Sequence, residues 1–422
     1  MSHTATEPSG RSCPQVDTYD PADENEITYP FATWAAARHE TPVFFAPVLN
    51  TYVVMRYDDI NAVLTDPETF SSGVMLKPLK ERPPEVDEIL ATGFDPSRLG
   101  AIVMLDPPMH TKIRRATIPA FSPRRVAALQ DEVHSTADEL IDAMIAAGPG
   151  ADFVDAFAYP LPLRTIARIL GVPVEDAVQL HEWAAAKMAL QYGDMPLDEH
   201  MEVARKFVDF QRYILERIQE KRANPQEDFI STLIAFEDDG EPLEDVVLVG
   251  QVMGLVNAGH ETVTTMLTMG LRQLLRDRSL WDELVADPEL AGPVVEESLR
   301  FDGPMKMLSR EAMRDTEIGG VAIPAGARVG LVVGSANRDE EAFSAPDRFD
   351  IHAQRKGHPH FAFGRGIHLC AGAPLARLEG RIAFERLSAR LPSLRLREGE
   401  QLQFARNTAV RIPLALHVGW DQ

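Results

Sequence analysis

The chain has 422 residues, of which 45% are hydrophobic, enough to bury a large core. Its 64 acidic against 42 basic side chains give a formal charge of -22, which argues against binding nucleic acid or an anionic membrane across the whole surface. Of its two cysteines, Cys13 lies near the start and Cys370 deep in the chain, so no disulfide framework is indicated and a reducing cytoplasm fits.

Residues 1–20 are polar and lack both the basic start and the apolar run of a secretory signal, so the expectation is a disordered tail followed by one domain over 21–422. The β-rich runs Val43-Phe44-Phe45 and Thr51-Tyr52-Val53-Val54-Met55, joined by Pro47-Val48-Leu49-Asn50, predict a hairpin with a short helix from Asp58 to Leu64 after it. From Asp106 to about Phe301 the pattern is mainly helical. Pro107-Pro108 can open one helix, and Gly148-Pro149, Gly171-Val172-Pro173, Asn224-Pro225 and Asp239-Gly240 punctuate others. The longest apolar stretch, Val246 to Leu275, is interrupted by Gln251, Asn257, His260, Glu261 and Arg272, which are costly in lipid. It reads as a buried helix from near Leu243 to about Arg276, roughly 50 Å long at ~1.5 Å per residue, and a helix apolar on most sides belongs at the centre. After Arg300, β-like pieces such as Val321-Ala322-Ile323-Pro324 and Arg328 to Val333 lead to a last helix from Ala373 to Leu391. No linker or internal repeat divides the chain, so one mainly α domain with small β-sheets (α+β) is expected.

Cys370 closes the stretch Phe363-Gly364-Arg365-Gly366-Ile367-His368-Leu369-Cys370-Ala371-Gly372. A cysteine metal ligand must be a thiolate, and the helix after Gly372, with Pro374 in its first turn, would aim its positive end at the sulfur. Gly364, Gly366 and Gly372 let the backbone turn or approach closely. Three other readings stand beside this one: a buried structural cysteine, a zinc site drawing on His352, His358, His360 and His368, and a nucleophile activated by histidine. No Cys-x-x-Cys or His-x-x-x-His spacing supports zinc.

Ala258-Gly259-His260-Glu261-Thr262 place a small pair, an acid and a hydroxyl midway along the apolar helix. Either Thr262 bonds back to the Ala258 carbonyl while Glu261 faces solvent, or the group loosens a turn and offers an oxygen ligand, a hydroxyl donor and a proton source to a buried pocket. Glu297 and Arg300 share a face of a helix that Pro293 can begin and Gly303-Pro304 should end, and Arg348 in Ala345-Pro346-Asp347-Arg348-Phe349 is the candidate third member of a buried network. In Asp106-Pro107-Pro108-Met109-His110-Thr111-Lys112-Ile113-Arg114, His110 and Arg114 fall on one helical face, where two cationic donors can clamp carboxylates.

These four motifs, in this order and at these intervals, resemble the cytochrome P450 family of haem-thiolate monooxygenases, and the likeness covers nearly the whole chain. It implies a triangular-prism-like fold around a long central helix and a haem b cofactor held by Cys370 as proximal iron ligand. By matching positions, Phe363 would pack by the haem, and Glu297, Arg300 and Arg348 would form the structural network behind the cysteine loop. His110, Arg114, Arg310 and His368 would bind the two propionates. Gly259, Glu261 and Thr262 would form the distal oxygen-activating turn.

The resemblance further implies O2 and two electrons from NAD(P)H through a ferredoxin or other iron-sulfur or flavin reductase system, no membrane anchor, and a monomeric bacterial-type enzyme. A peroxide-driven peroxygenase and a non-enzymatic haem sensor or carrier remain the alternatives. The last third of the chain, with Gly334-Ser335-Ala336-Asn337-Arg338-Asp339 and Leu375-Ala376-Arg377-Leu378-Glu379, is similar to haem domains of bacterial self-sufficient members. That implies either a separate ferredoxin or a removed reductase domain. Lys112, Arg115, Arg124, Arg125, Lys356 and Arg365 are the expected basic patch for an acidic partner. The family's topology puts the pocket wall at Ser71 to Val103, around Leu190 and Met195, at Val256 and Ala258, Met305 to Leu308, and Arg406 to Val410. This mostly apolar wall suits a small to mid-sized aromatic or aliphatic substrate, hydroxylated or dealkylated, with Lys306 and Arg406 as the anchors for an acid group.

Overall fold

A computed structural model describes residues 13–75, 82–192, 195–353, 355 and 357–421. The hairpin forms where the β-rich runs place it. Val43–Ala46 pairs antiparallel with Thr51–Val54, and the turn at Pro47–Leu49 ends on Asn50 at φ 47°, a left-handed conformation that asparagine tolerates. Thr51–Val54 then pairs in parallel with Arg328–Leu331, which pairs antiparallel with Leu308–Ala312, and Phe70–Ser71 adds the far edge. The N-terminal hairpin and the C-terminal third therefore share one five-stranded sheet.

The expected disordered tail is overturned for residues 13–20. The Val16 N–H donates to the Phe45 carbonyl, the Phe45 N–H donates to the Pro14 carbonyl, and Tyr19 is buried edge-on against Phe44 with ring centroids 5.3 Å apart. Polar neighbours hide Val16 and Tyr19 in the sequence, but those two bury enough apolar surface to bind the strap to the hairpin. The short helix Glu24–Thr28 that follows the strap is tied to the C-terminal part of the chain, because Arg411 Nη1 donates to the Ile27 carbonyl at 2.7 Å. Residues 1–12 lie outside the described residues.

The central helix runs Asp245–Arg276, 32 residues, or ~48 Å at ~1.5 Å per residue. Its buried side chains divide between two apolar clusters. Leu248, Val249, Val252, Met253 and Val256 pack with Leu180, Ala184, Phe210 and Ile214, whereas Val263, Met266, Leu267 and Leu271 pack with Ile141, Phe157, Val295 and Phe384. Between the clusters Ala258 is exposed, and Gly259 and Thr262 are half-buried. One turn of the most enclosed helix thus faces open space. Gly259 lets the helix Pro160–Leu170 press in from behind, since a Cβ there would lie 2.3 Å from Ile166 Cδ1.

Two further helices carry the opposite wall. Ala373–Arg390 starts directly after the cysteine loop, and its Gly380 admits Met266 of the central helix and Val295 of Ala291–Asp302 to close contact. Met109–Thr117 opens after Pro107-Pro108 as the sequence predicts. Among the described residues no helix is long and apolar enough to cross a membrane.

Candidate functional site

The cysteine loop is built from two tight turns, Phe361–Phe363 and Gly366–His368. Gly366 sits at φ 65° with the space of a Cβ filled by the Leu64 carbonyl oxygen at 2.4 Å, so only glycine fits there. The Cys370 N–H donates to the Phe363 carbonyl at 2.9 Å, which closes the loop and aims the side chain inward. The thiol receives the backbone N–H groups of Gly372 and Ala373, the N-cap and first residue of the following helix, as the sequence predicts. The residue is exposed although protein surrounds its thiol, which describes a thiol on the wall of an internal space. Burial raises its pKa, and the two N–H groups together with Arg114 and Arg377 offset this only in part. Phe363 lies against the loop with the Arg377 guanidinium 4.6 Å from its ring centre.

His110, Arg114, Arg310 and His368 converge from three parts of the chain. The rings of His110 and His368 are 4.3 Å apart, and Arg114 and Arg310 both oppose protonation of His368. Burial, then these neighbouring cations, hold the His368 pKa down to about 3; burial and Arg114 lower that of His110. Burial also lowers Arg310 to about 10 and depresses Arg114. Asp106 pulls the other way on His368, His110 and Arg310, as Cys370 does on Arg114, and the Asp106 carboxylate is already engaged by the Ser71 hydroxyl and the Ser72 N–H. His110 Nε2 is buried with no partner. Four donor side chains, one of them with its Nε2 orphaned, which among the described residues face no carboxylate but the engaged Asp106, are the donor set that two carboxylates of a ligand would satisfy.

On the central helix, Thr262 Oγ1 donates to the Ala258 carbonyl at 2.8 Å and the helix continues unbroken through this turn. The loosening considered from sequence does not occur, because an i−4 back-bond satisfies the hydroxyl without displacing a backbone bond. Glu261 is buried rather than solvent-facing, and burial pushes its carboxyl pKa up to about 7. Behind this turn His260 is fully buried. Its Nδ1 donates to the Val256 carbonyl at 2.6 Å, and its Nε2 lies 3.1 Å from the Tyr159 hydroxyl, which also meets His181 Nε2 at 3.0 Å.

The Glu297 network exists, but its third member is Arg355, not Arg348. Glu297 accepts from Arg300 Nε and Nη2 at 2.9 and 2.7 Å, from Arg355 Nε and Nη2 at 3.0 and 2.8 Å, and from the Asp350 N–H at 2.8 Å. The Arg348 side chain is 75% exposed, 4.0 Å from Asp350, and contributes only its carbonyl, which accepts from Arg300. The chain turns at Asp350 so that Arg348 points out and the arginine seven residues later points in.

Several other residues differ from expectation or were not anticipated. Among the described residues no three His, Cys, Asp or Glu side chains gather as a metal site; His352 instead meets Glu283 and His360 meets Glu296. Lys306 is buried, with Nζ on the Pro21 carbonyl at 3.3 Å, so it is no free anchor for an acid, whereas Arg406 is exposed. In the expected basic patch, Lys112 and Arg115 are paired to Asp238, and Lys356 lies outside the described residues, as does the stretch 76–81 of the expected pocket wall. Ser72, whose hydroxyl meets His368 Nε2 at 2.9 Å, and Asp106 were missed, although Asp106 immediately precedes the His110 motif.

Comparison with known proteins accounts for this arrangement. The cytochrome P450 family profile matches residues 177–289 and 282–391. Erythromycin C-12 hydroxylase of Saccharopolyspora erythraea is 35% identical over 373 residues, covering 88% of this chain and 89% of that protein. Cytochrome P450 monooxygenase PikC of Streptomyces venezuelae is 35% identical over 401 residues, covering 93% and 91%. Among solved structures, cytochrome P450 CREJ in complex with (4-ethylphenyl) dihydrogen phosphate superposes with a TM-score of 0.90 at 32% identity, covering 96% of this chain and 99% of that one. The Tepidiphilus thermophilus P450 heme domain gives 0.89 at 31%, covering 96% and 97%. A thiol between backbone donors, a cation cluster short of anions and an acid–hydroxyl turn on a long central helix are therefore features of a mainly helical fold with a haem-thiolate cofactor, and the chain belongs to the cytochrome P450 family of monooxygenases.

Proposed function

We propose that Cys370 would hold the iron of a haem b bound between the cysteine loop and the Ala258–Thr262 turn. The observation that carries this is the pairing of an inward thiol, met by the Gly372 and Ala373 N–H groups, with the anion-starved cluster of His110, Arg114, Arg310 and His368. When bound, the haem supplies thiolate-ligated iron for activating dioxygen. The cluster would hold the two propionates, giving His110 Nε2 the partner it lacks. Phe363 would cover the sulfur side. Gly259 would let the helix Pro160–Leu170 back the distal turn closely. Glu261, whose buried carboxyl keeps a proton up to about pH 7, and the Thr262 hydroxyl would move protons to the distal face. Glu297, Arg300 and Arg355 would set the position of the loop from behind.

The reading makes the enzyme a monomeric cytoplasmic monooxygenase, with residues 21–422 as one haem-binding domain. Electrons would come from NAD(P)H through a ferredoxin or a flavin and iron-sulfur reductase. The substrate would be a small to mid-sized hydrophobic compound, hydroxylated or oxidatively dealkylated; the alkylphenyl phosphate bound by CREJ is of that size class. The test is the visible spectrum of the reduced, carbon-monoxide-treated holoprotein. A thiolate-type Soret position is expected, lost in Cys370→Ser and kept in Thr262→Ala, which should instead divert electrons to peroxide or water. A histidine-type position in the parent protein refutes the reading, and turnover with peroxide alone but not with dioxygen and a reductase would make the enzyme a peroxygenase.

A further inference from the structure

Three lysines are buried among the described residues: Lys187, Lys221 and Lys306. Lys221 pairs with Asp228 at 2.7 Å, and Lys306 donates to a carbonyl. Lys187 makes no hydrogen bond or ion pair among the described residues. It is 8% exposed. An ammonium group in that state is unfavourable, and its pKa is accordingly pushed down to about 8 by burial alone.

Its position gives the vacancy a direction. On the helix Ala177–Tyr192, Leu180, Ala184, Lys187 and Leu190 recur at helical spacing and are all buried, so the lysine occupies the inward face, which packs on both the helix Leu197–Ala223 and the central helix. The crossing point is fixed by Asn257 Nδ2, which donates to the Ala184 carbonyl at 2.9 Å. Asn257 directly precedes Ala258, the exposed residue of the site-facing turn. Lys187 follows Ala184 by three residues, ~4.5 Å along the helix axis, so a lysine stem is long enough to bring its ammonium to the space beside that turn. A packing role alone would be served better by leucine or methionine, as at Leu180 and Leu190.

We infer that Lys187 is the counter-charge for an acidic substrate, a carboxylate or phosphate monoester carried on an apolar body that lies against Ala258 and Thr262. This rests on the monooxygenase reading above and narrows its substrate class. It also replaces Lys306 and Arg406, the anchors expected from sequence, with a residue that has no other partner.

The test is calorimetric titration of the holoenzyme with three probes sharing one body: 4-propylbenzoate, 4-propylphenyl phosphate and the uncharged 4-propylbenzamide. The haem spin-state shift is followed in parallel. At least one acid should bind the parent about tenfold or more tighter than the amide, and Lys187→Met should erase that advantage while leaving the amide unchanged. Which acid gains most decides between carboxylate and phosphate. Lys187→Arg should keep part of the preference, and Lys187→Met without ligand should melt no lower than the parent, since it removes an unpaired buried charge. The inference is overturned if neither acid outbinds the amide in the parent, or if the acids bind Lys187→Met as they bind the parent. Failure of the haem reading itself would show separately, as a histidine-type spectrum in the unliganded parent.

Discussion

The replacement of Arg348 by Arg355 in the Glu297 network can be measured directly. Arg355 gives Glu297 two charge-assisted hydrogen bonds, at 3.0 and 2.8 Å, from a side chain that is 15% exposed. At about 1.5 kcal/mol for each such bond, Arg355→Ala should cost roughly 3 kcal/mol. The loss stops there because Glu297 keeps Arg300 and the Asp350 N–H, so no charge is left bare. Glu297→Leu strips both arginines of their counter-ion and should cost more, about 3–5 kcal/mol. Arg348→Ala removes an exposed side chain and should fall within about 0.5 kcal/mol of the parent. Urea unfolding of the four proteins, followed by far-ultraviolet circular dichroism at fixed pH and salt, ranks them. If Arg348→Ala costs as much as Arg355→Ala, the assignment of the third member is wrong.

Two further outcomes follow from the same structure. The Glu261 pKa is raised from 4.5 to about 7 by burial, so between those values the folded state holds a proton that the unfolded chain has lost. Stability from this group therefore falls as pH rises through that window, by about 3 kcal/mol in all, and stays lost above it. Glu261→Gln should be close to neutral near pH 4 and progressively more stable than the parent toward about pH 8; a pH-independent difference would show that the carboxyl is not buried as described. Gly366→Ala must adopt φ 65° and displace the Leu64 carbonyl, so it should cost about 2 kcal/mol or more and loosen haem retention, read as faster transfer to apomyoglobin. Gly399→Ala, at φ 77° with nothing within 4 Å, is the control and should cost only about 1 kcal/mol; equal effects would remove the role assigned to the Leu64 contact.

What could be read from the sequence was whatever local chemistry decides. The hairpin rests on two β-rich runs and an asparagine that accepts the left-handed turn, and the central helix on an apolar run whose polar interruptions still fit a 3.6 period. The Thr262 back-bond was legible as well, being a contact between residues four apart. Arg355 was not, because nothing in a loop's sequence states which of two arginines seven residues apart turns inward. The Tyr159, His181 and His260 cluster joins residues 22 and 101 apart, a separation no motif encodes. Lys187 was passed over because a lysine on a helix is normally solvated. Only the burial of its neighbours at helical spacing shows that this one is not.

The N-terminal segment bears on how the chain is made. Arg411 holds the Ile27 carbonyl across 384 residues, the Tyr57 N–H donates to Asp339 across 282, and the hairpin strand Thr51–Val54 takes its parallel neighbour from Arg328–Leu331. During vectorial synthesis residues 13–60 emerge well before the partners that fix them. Contacts of such long sequence separation also close slowly. The helical mass between them can assemble meanwhile from its own near-neighbour contacts, so the seam between the two ends should be the last part to close on the ribosome. It should also be the first to open when a few residues around Arg411 are cut away.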